Sequence, residues 1–197
     1  MKYPALIVRK QDGSERIECA DKEVRLSDYW SWAHSDLNSN AERGKFAEYL
    51  VSLAMRCADG ISEEWSAYDI LTHEGIKIEI KTSAYLQTWA HKELSIIRFN
   101  IAPSHAWDSK TNRFDAEYKR QSDIYVFCVE NHQNQSTLNP LDLDQWDFYP
   151  LLTSVLDKAV ADQKTISIQG VQKLGATRHA FSALREAILS LATQERE

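Results

Sequence analysis

Two runs rich in β-branched and aromatic residues, 65–72 and 76–82, flank His73-Glu74-Gly75. A three-residue loop ending in a left-handed glycine is a common hairpin connection. It predicts that Thr72 opposes Ile76, Ile70 opposes Ile78 and Asp69 opposes Glu79. Alternation then places Ser66, Tyr68, Ile70, Ile76, Ile78 and Ile80 on a mostly apolar face, and Ala67, Asp69, Lys77, Glu79 and Lys81 on the other. A two-residue loop would slip the register and bury Asp69 in the apolar face, so the three-residue reading is preferred.

The same patterning reads the rest of the chain. Residues 41–57 carry an apolar stripe at Phe46, Leu50, Leu53, Ala54 and Cys57, spaced for a helix, which Ser39 or Asn40 can cap. Residues 123–130 are almost continuously apolar and read as a strand buried on both faces. Strands are also expected over 94–101, with Ile97, Phe99 and Ile101 inward, over 146–152, where Pro150 argues for an edge or a strand end, and over 165–169. Short helices fit 151–160 and, as helix or loop, 28–40. A last helix starts near Thr177 and buries Phe181, Leu184, Ile188 and Leu191. At the N-terminus, 5–9 and 16–19 are strand-like around Asp12-Gly13, a hairpin signal. Residues 103–120 are polar and read as a short helix or an irregular loop. The prediction is an α/β fold: one domain with a central mixed sheet flanked by helices. Its core lies at about 40–130, with an N-terminal hairpin extension over 1–30 and a C-terminal strand-helix extension over 140–197.

A chain of 197 residues suits one well-buried core, and 43% hydrophobic with 26% charged residues is ordinary for a globular domain. No apolar run reaches membrane-spanning length and no signal-peptide pattern opens the chain, so a cytoplasmic protein is expected. Three cysteines without a CxxC argue for a reduced protein with no structural zinc. The net charge of −6 does not by itself suggest a nucleic-acid binder, but residues 90–120 hold six Lys or Arg against four Asp or Glu. That surplus fits a phosphate-facing surface and a solvated loop equally well. The six histidines show no metal-binding spacing, and no serine-hydrolase elbow, P-loop or dinucleotide fingerprint is present. The six tryptophans read chiefly as core residues, with Trp89 and Trp107, beside the basic segment, as candidates for contact with a ligand.

Candidate chemistry lies in the first hairpin. Two carboxylates roughly 5 Å apart repel by about 3 kcal/mol at an effective dielectric of about 20. Lys77 and Lys81 offset part of this, and a hard divalent cation offsets all of it. Oxygen ligands suit Mg²⁺ or Mn²⁺ better than zinc. Glu48 sits on the predicted helix beside Gly44, Val51, Ser52 and Met55, at the edge of an apolar arc where a carboxylate needs a partner. Gly44 would let a backbone or ligand approach. A snorkelling surface glutamate is the alternative.

Helix with glutamate, then Asp, then Glu-x-Lys on a hairpin, then a buried strand: in this order the chain resembles the PD-(D/E)xK nuclease superfamily over roughly residues 40–130. It is also similar to restriction-endonuclease-like bacterial proteins in its RGKFAE, YD and EIKTSAYLQ segments. Tyr68 stands where many members have proline. The resemblance implies a core of helix, three strands, helix and strand, and Mg²⁺- or Mn²⁺-dependent hydrolysis of a DNA phosphodiester. It implies that Asp69, Glu79 and the Ile80 carbonyl hold the ion, that Glu48 assists, and that Lys81 orients or activates the attacking water. Arg98, Arg113, Lys119 and Arg120 are then candidates for holding phosphates, Ser83 and Gln87 for support, and a homodimer would serve double-strand cleavage. The competing expectation is a binding module that keeps the fold without hydrolysis.

Overall fold

The computed structural model describes residues 3–18, 23–108 and 111–196. Its elements in chain order are α1 (Leu26–Ala33), α2 (Asn40–Ala54), β1 (Ile70–Leu71), β2 (Lys77–Ala84), β3 (Arg98–Asn100), β4 (Ser104–Asp108), β5 (Arg113–Lys119), β6 (Ile124–Glu130), β7 (Trp146–Leu152), α3 (Thr153–Val160), β8 (Thr165–Ser167), α4 (Ile168–Lys173) and α5 (Phe181–Arg196).

The central sheet runs β1-β2-β6-β7 and is mixed: β2 and β6 are parallel, while both outer pairs are antiparallel. Even-numbered residues of β2 and β6 (Ile78, Ile80, Ile124, Val126, Cys128) meet Leu50 and Val51 of α2 and Leu184 and Ile188 of α5. Tyr125, Phe127 and Val129, on the opposite face of β6, pack with Phe99, Ile166, Leu156 and Val171 of β3, β8, α3 and α4. The protein is therefore a single α/β domain whose mixed sheet has an apolar core on each face.

β6 is buried at every residue, as its continuous apolar run predicts. β7 lies at the sheet edge with Pro150 opposite Val126, in keeping with a residue that has no N–H to donate to a further strand. α2 is capped by Ser39, whose side chain accepts from the Glu42 amide. Its inward face is Arg43, Ala47, Leu50 and Val51, rotated from the predicted stripe, so Leu53 is exposed.

Other expectations change. Residues 5–9 form no strand, and Arg16 makes only an isolated bridge to Arg25. Cys19 lies outside the described residues. Of the predicted strand over 65–72, only Ile70–Leu71 pairs, and of the strand over 94–101 only Arg98–Asn100. Residues 103–120 are neither helix nor loop: they form the antiparallel hairpin β4–β5. Strand and helix divide the segment after 164, where β8 hands over to α4. Between β2 and β6, where the resemblance implies a helix, the described residues contain none. Among the described residues, no helix is long and apolar enough to cross a membrane.

Glu130 ends β6 fully buried, and neither carboxylate oxygen has a hydrogen-bond partner among the described residues. Burial lifts its pKa to about 7, against the pull of the Arg43 guanidinium. Between the ordinary carboxylate range and pH 7 the folded chain thus holds a proton that the unfolded chain has released. Stability falls as pH rises through that window, by up to about 1.4 kcal/mol per pH unit. Denaturant unfolding at pH 5 and pH 7 should show that fall, and Glu130→Gln should flatten it.

Candidate active site

The first hairpin closes as its loop predicts. Gly75 has a φ of +79°, its amide donates to the Thr72 carbonyl, and the register sets Ile70 opposite Ile78. Thr72 donates its amide to the Ile76 carbonyl, and its Oγ1 accepts from the Ile76 amide. The tip is tied to α5 by Arg185 and Glu74, 2.6 Å apart. At the other end, Asp123 accepts from the Lys77 amide and so fixes the start of β2 against β6.

β1 is only two residues long, so the edge of β2 is open to side chains beyond Ile70. Asp69 donates its amide to the Ile78 carbonyl, and its carboxylate Oδ2 accepts from the Ile80 amide at 2.6 Å. The carbonyls of alternate strand residues point the same way, so the Ile80 carbonyl faces the side of Asp69, as that of Ile78 does. Glu79 projects from the sheet face opposite to Ile78 and Ile80. Its Oε1 lies 2.5 Å from Lys81 Nζ, and both side chains are largely shielded.

Glu48 comes from α2. Its Oε2 lies 2.5 Å from Lys45 Nζ and within 3.4 Å of Ser62 Oγ. Glu48 and Asp69 both line a cleft of about 580 Å³ whose wall also includes Lys45, Ser62 and Tyr68. Gly44 lies one turn earlier in α2, but a side chain there would meet no described atom within 4 Å, so it marks no close approach.

The electrostatics join these groups. Burial raises the pKa of Asp69 above the carboxylate range, against the Ile80 amide, Lys81 and Lys45. Burial also raises Glu79, with the charges of Asp69 and Glu48 adding to it and Lys81 opposing it. Glu48 is raised by burial and, in smaller part, by Asp69, against its bonds to Lys45 and Ser62. Three half-buried carboxylates within range of one another thus share two lysines.

All the donors here are oxygens, which is the chemistry of a hard divalent ion. As placed, no set of three or more His, Cys, Asp or Glu side chains among the described residues is arranged to hold one. Glu79 and Glu48 are engaged by lysines and Asp69 by an amide.

A model of the bacteriophage T4 endonuclease IV family matches residues 9–170. The chain belongs to that family. No curated protein matches the sequence. The matched span takes in every residue of the carboxylate site and both hairpins.

Lys45 and Ser62 escape a reading of the sequence. Lys45 precedes Glu48 by three residues, the spacing of a helix-surface ion pair, which is the one signal available for it. Ser62 arrives through an irregular loop and has none. Of the cations expected to meet phosphate, Arg98, Arg113 and Lys119 are exposed, Lys119 beside Glu117. Arg120 turns inward instead, bonding the Ile101 carbonyl, Asp157 and the carbonyls of Val160, Ala161 and Gln163. It joins β5 to α3 and its following turn. Gln87 likewise donates within the protein, to the Ala84 carbonyl and Ser95.

Proposed function

We propose that the protein is a DNA endonuclease of the PD-(D/E)xK kind, which hydrolyses phosphodiesters with a divalent ion held at Asp69 and Glu79. The observation that carries this reading is the carboxylate–lysine cluster at the open edge of β2, within a chain of an endonuclease family. Burial makes all three carboxylates costly to keep ionised, the charge of Asp69 adds to that cost at Glu79 and Glu48, and added positive charge relieves it. The Ile80 carbonyl, on the side of Asp69, would complete the ligand set, and Glu48 would assist across the cleft. Mg²⁺ or Mn²⁺ fits the oxygen donors.

When bound, the ion supplies Lewis-acid stabilisation of charge at phosphorus and a more acidic water. The residues do the rest. The Ile80 amide holds Asp69 in one rotamer. Lys81, paired with Glu79 and two residues along the same strand, places an ammonium next to the carboxylates, where it orients the attacking water and balances charge as the pentacoordinate transition state forms. Lys45 favours the ionised form of Glu48 against its burial and holds it in place.

Calorimetric titration of the purified protein with Mn²⁺ tests the site. Binding should strengthen as pH rises from 5 to 8, because protons must leave carboxylates whose pKa values lie above the ordinary range. Absence of Mn²⁺ binding across that range would favour the alternative, a binding module on the same fold.

A further inference from the structure

The β4–β5 hairpin is amphipathic, yet its ring-bearing face has little to pack against. Its register pairs His105 with Tyr118 and Trp107 with Phe114, with a bulge between them, so four rings share one face. Asp108 and Arg113, paired across the strands, lie with Ser104 and Lys119 on the other face. The rings touch: His105 and Tyr118 have centroids 5.0 Å apart. Even so, Phe114 is 73% exposed and Tyr118 60% exposed. A two-stranded ribbon is marginal by itself, and aromatic surface left in water marks a place for a partner.

The location of this face identifies the partner. Trp65, itself 67% exposed, meets Trp107 edge-on at 5.6 Å. Trp65 lies in the loop whose neighbours Ser62, Glu63, Ser66 and Tyr68 wall the cleft of Glu48 and Asp69. The Trp65–Trp107 contact therefore joins the hairpin to the loop that walls the carboxylate cleft. Apart from Ala116, the exposed apolar residues of the hairpin are rings, and alanine is its one aliphatic type. Flat π-faces without aliphatic knobs suit stacking on planar groups, and nucleobases are the planar groups that an endonuclease meets.

We propose that the ring face of β4–β5, with Trp65, is the surface on which bases of the nucleic-acid substrate stack, holding the strand beside the carboxylate site. The proposal rests on the nuclease reading above and adds the binding surface to it. Phe114 and Tyr118 are binding residues in this scheme, remote from the reacting phosphate.

The test is fluorescence anisotropy with a short, labelled, unpaired deoxyoligonucleotide, in EDTA, using the full chain and its Asp69→Asn variant. Phe114→Ala and Tyr118→Ala should each weaken binding roughly 5- to 150-fold, the range for losing one stacked base. Tyr118→Phe should bind like the wild type, and an abasic oligonucleotide of equal length should bind far more weakly. Wild-type affinity in the double alanine variant, or equal affinity for the abasic strand, would overturn the proposal. So would loss of self-association in that variant with unchanged oligonucleotide binding, which would make the face an interface between copies. Cleavage with Mg²⁺ but no base-dependent binding sinks the stacking surface alone. Neither cleavage nor binding sinks the nuclease reading with it.

Discussion

Asp69→Asn should abolish metal-dependent cleavage, lowering it at least about a thousandfold, while leaving the protein as stable as before or more so. Asparagine has the same shape and keeps an oxygen that can accept from the Ile80 amide, so the bond that orients the side chain survives. The negative charge is lost. A neutral amide oxygen is a poorer ligand for a hard cation, so Mn²⁺ affinity should fall with activity. Removing that charge also lowers the pKa of Glu79 and Glu48, both of which Asp69 pushes up. The folded state then carries less internal repulsion. Activity lost while the melting temperature holds or rises separates a functional carboxylate from a structural one, because loss of a stabilising ion pair would lower both.

Lys81→Ala should separate binding from chemistry. The ammonium is the counter-charge of Glu79 at 2.5 Å and also lowers the pKa of Asp69. Its removal frees Glu79 for the cation, so Mn²⁺ affinity at pH 8 should be retained. At lower pH, affinity should fall more steeply than in the wild type, since Glu79 then takes a proton more readily. Cleavage should drop by roughly 100- to 1,000-fold, the usual cost of removing one positioned charge from a transition state. Single-turnover rates with saturating Mg²⁺ measure this directly. An unchanged rate would remove Lys81 from the chemistry.

What could be read from the sequence was local. His73-Glu74-Gly75 sets the hairpin register because a positive φ at Gly75 is a property of three residues, and from that register follows the placing of Asp69 beside β2. The strand at Ile124–Glu130 was legible because burial on both faces leaves a continuous apolar run. What stayed hidden depends on distant contacts. β4–β5 alternates rings with charges and has no core to reveal its period against, so it reads as polar loop. Arg120 looks like any surface cation until the chain folds and five acceptors 19 to 43 residues away converge on it. The tryptophans mislead for the same reason: Trp146 is buried, while Trp32, Trp65 and Trp89 are exposed, because ring size alone does not say which face a core will cover. Glu48 is intermediate. Its position at the edge of the helix face was legible, but its partners Lys45 and Ser62 and its shared cleft with Asp69 were not.

The most direct measurement is a cleavage assay on DNA with purified wild-type and Asp69→Asn protein, each in Mg²⁺ and in EDTA. The account predicts product only for the wild type in Mg²⁺. Equal cleavage by Asp69→Asn in Mg²⁺, or by the wild type in EDTA, would contradict it.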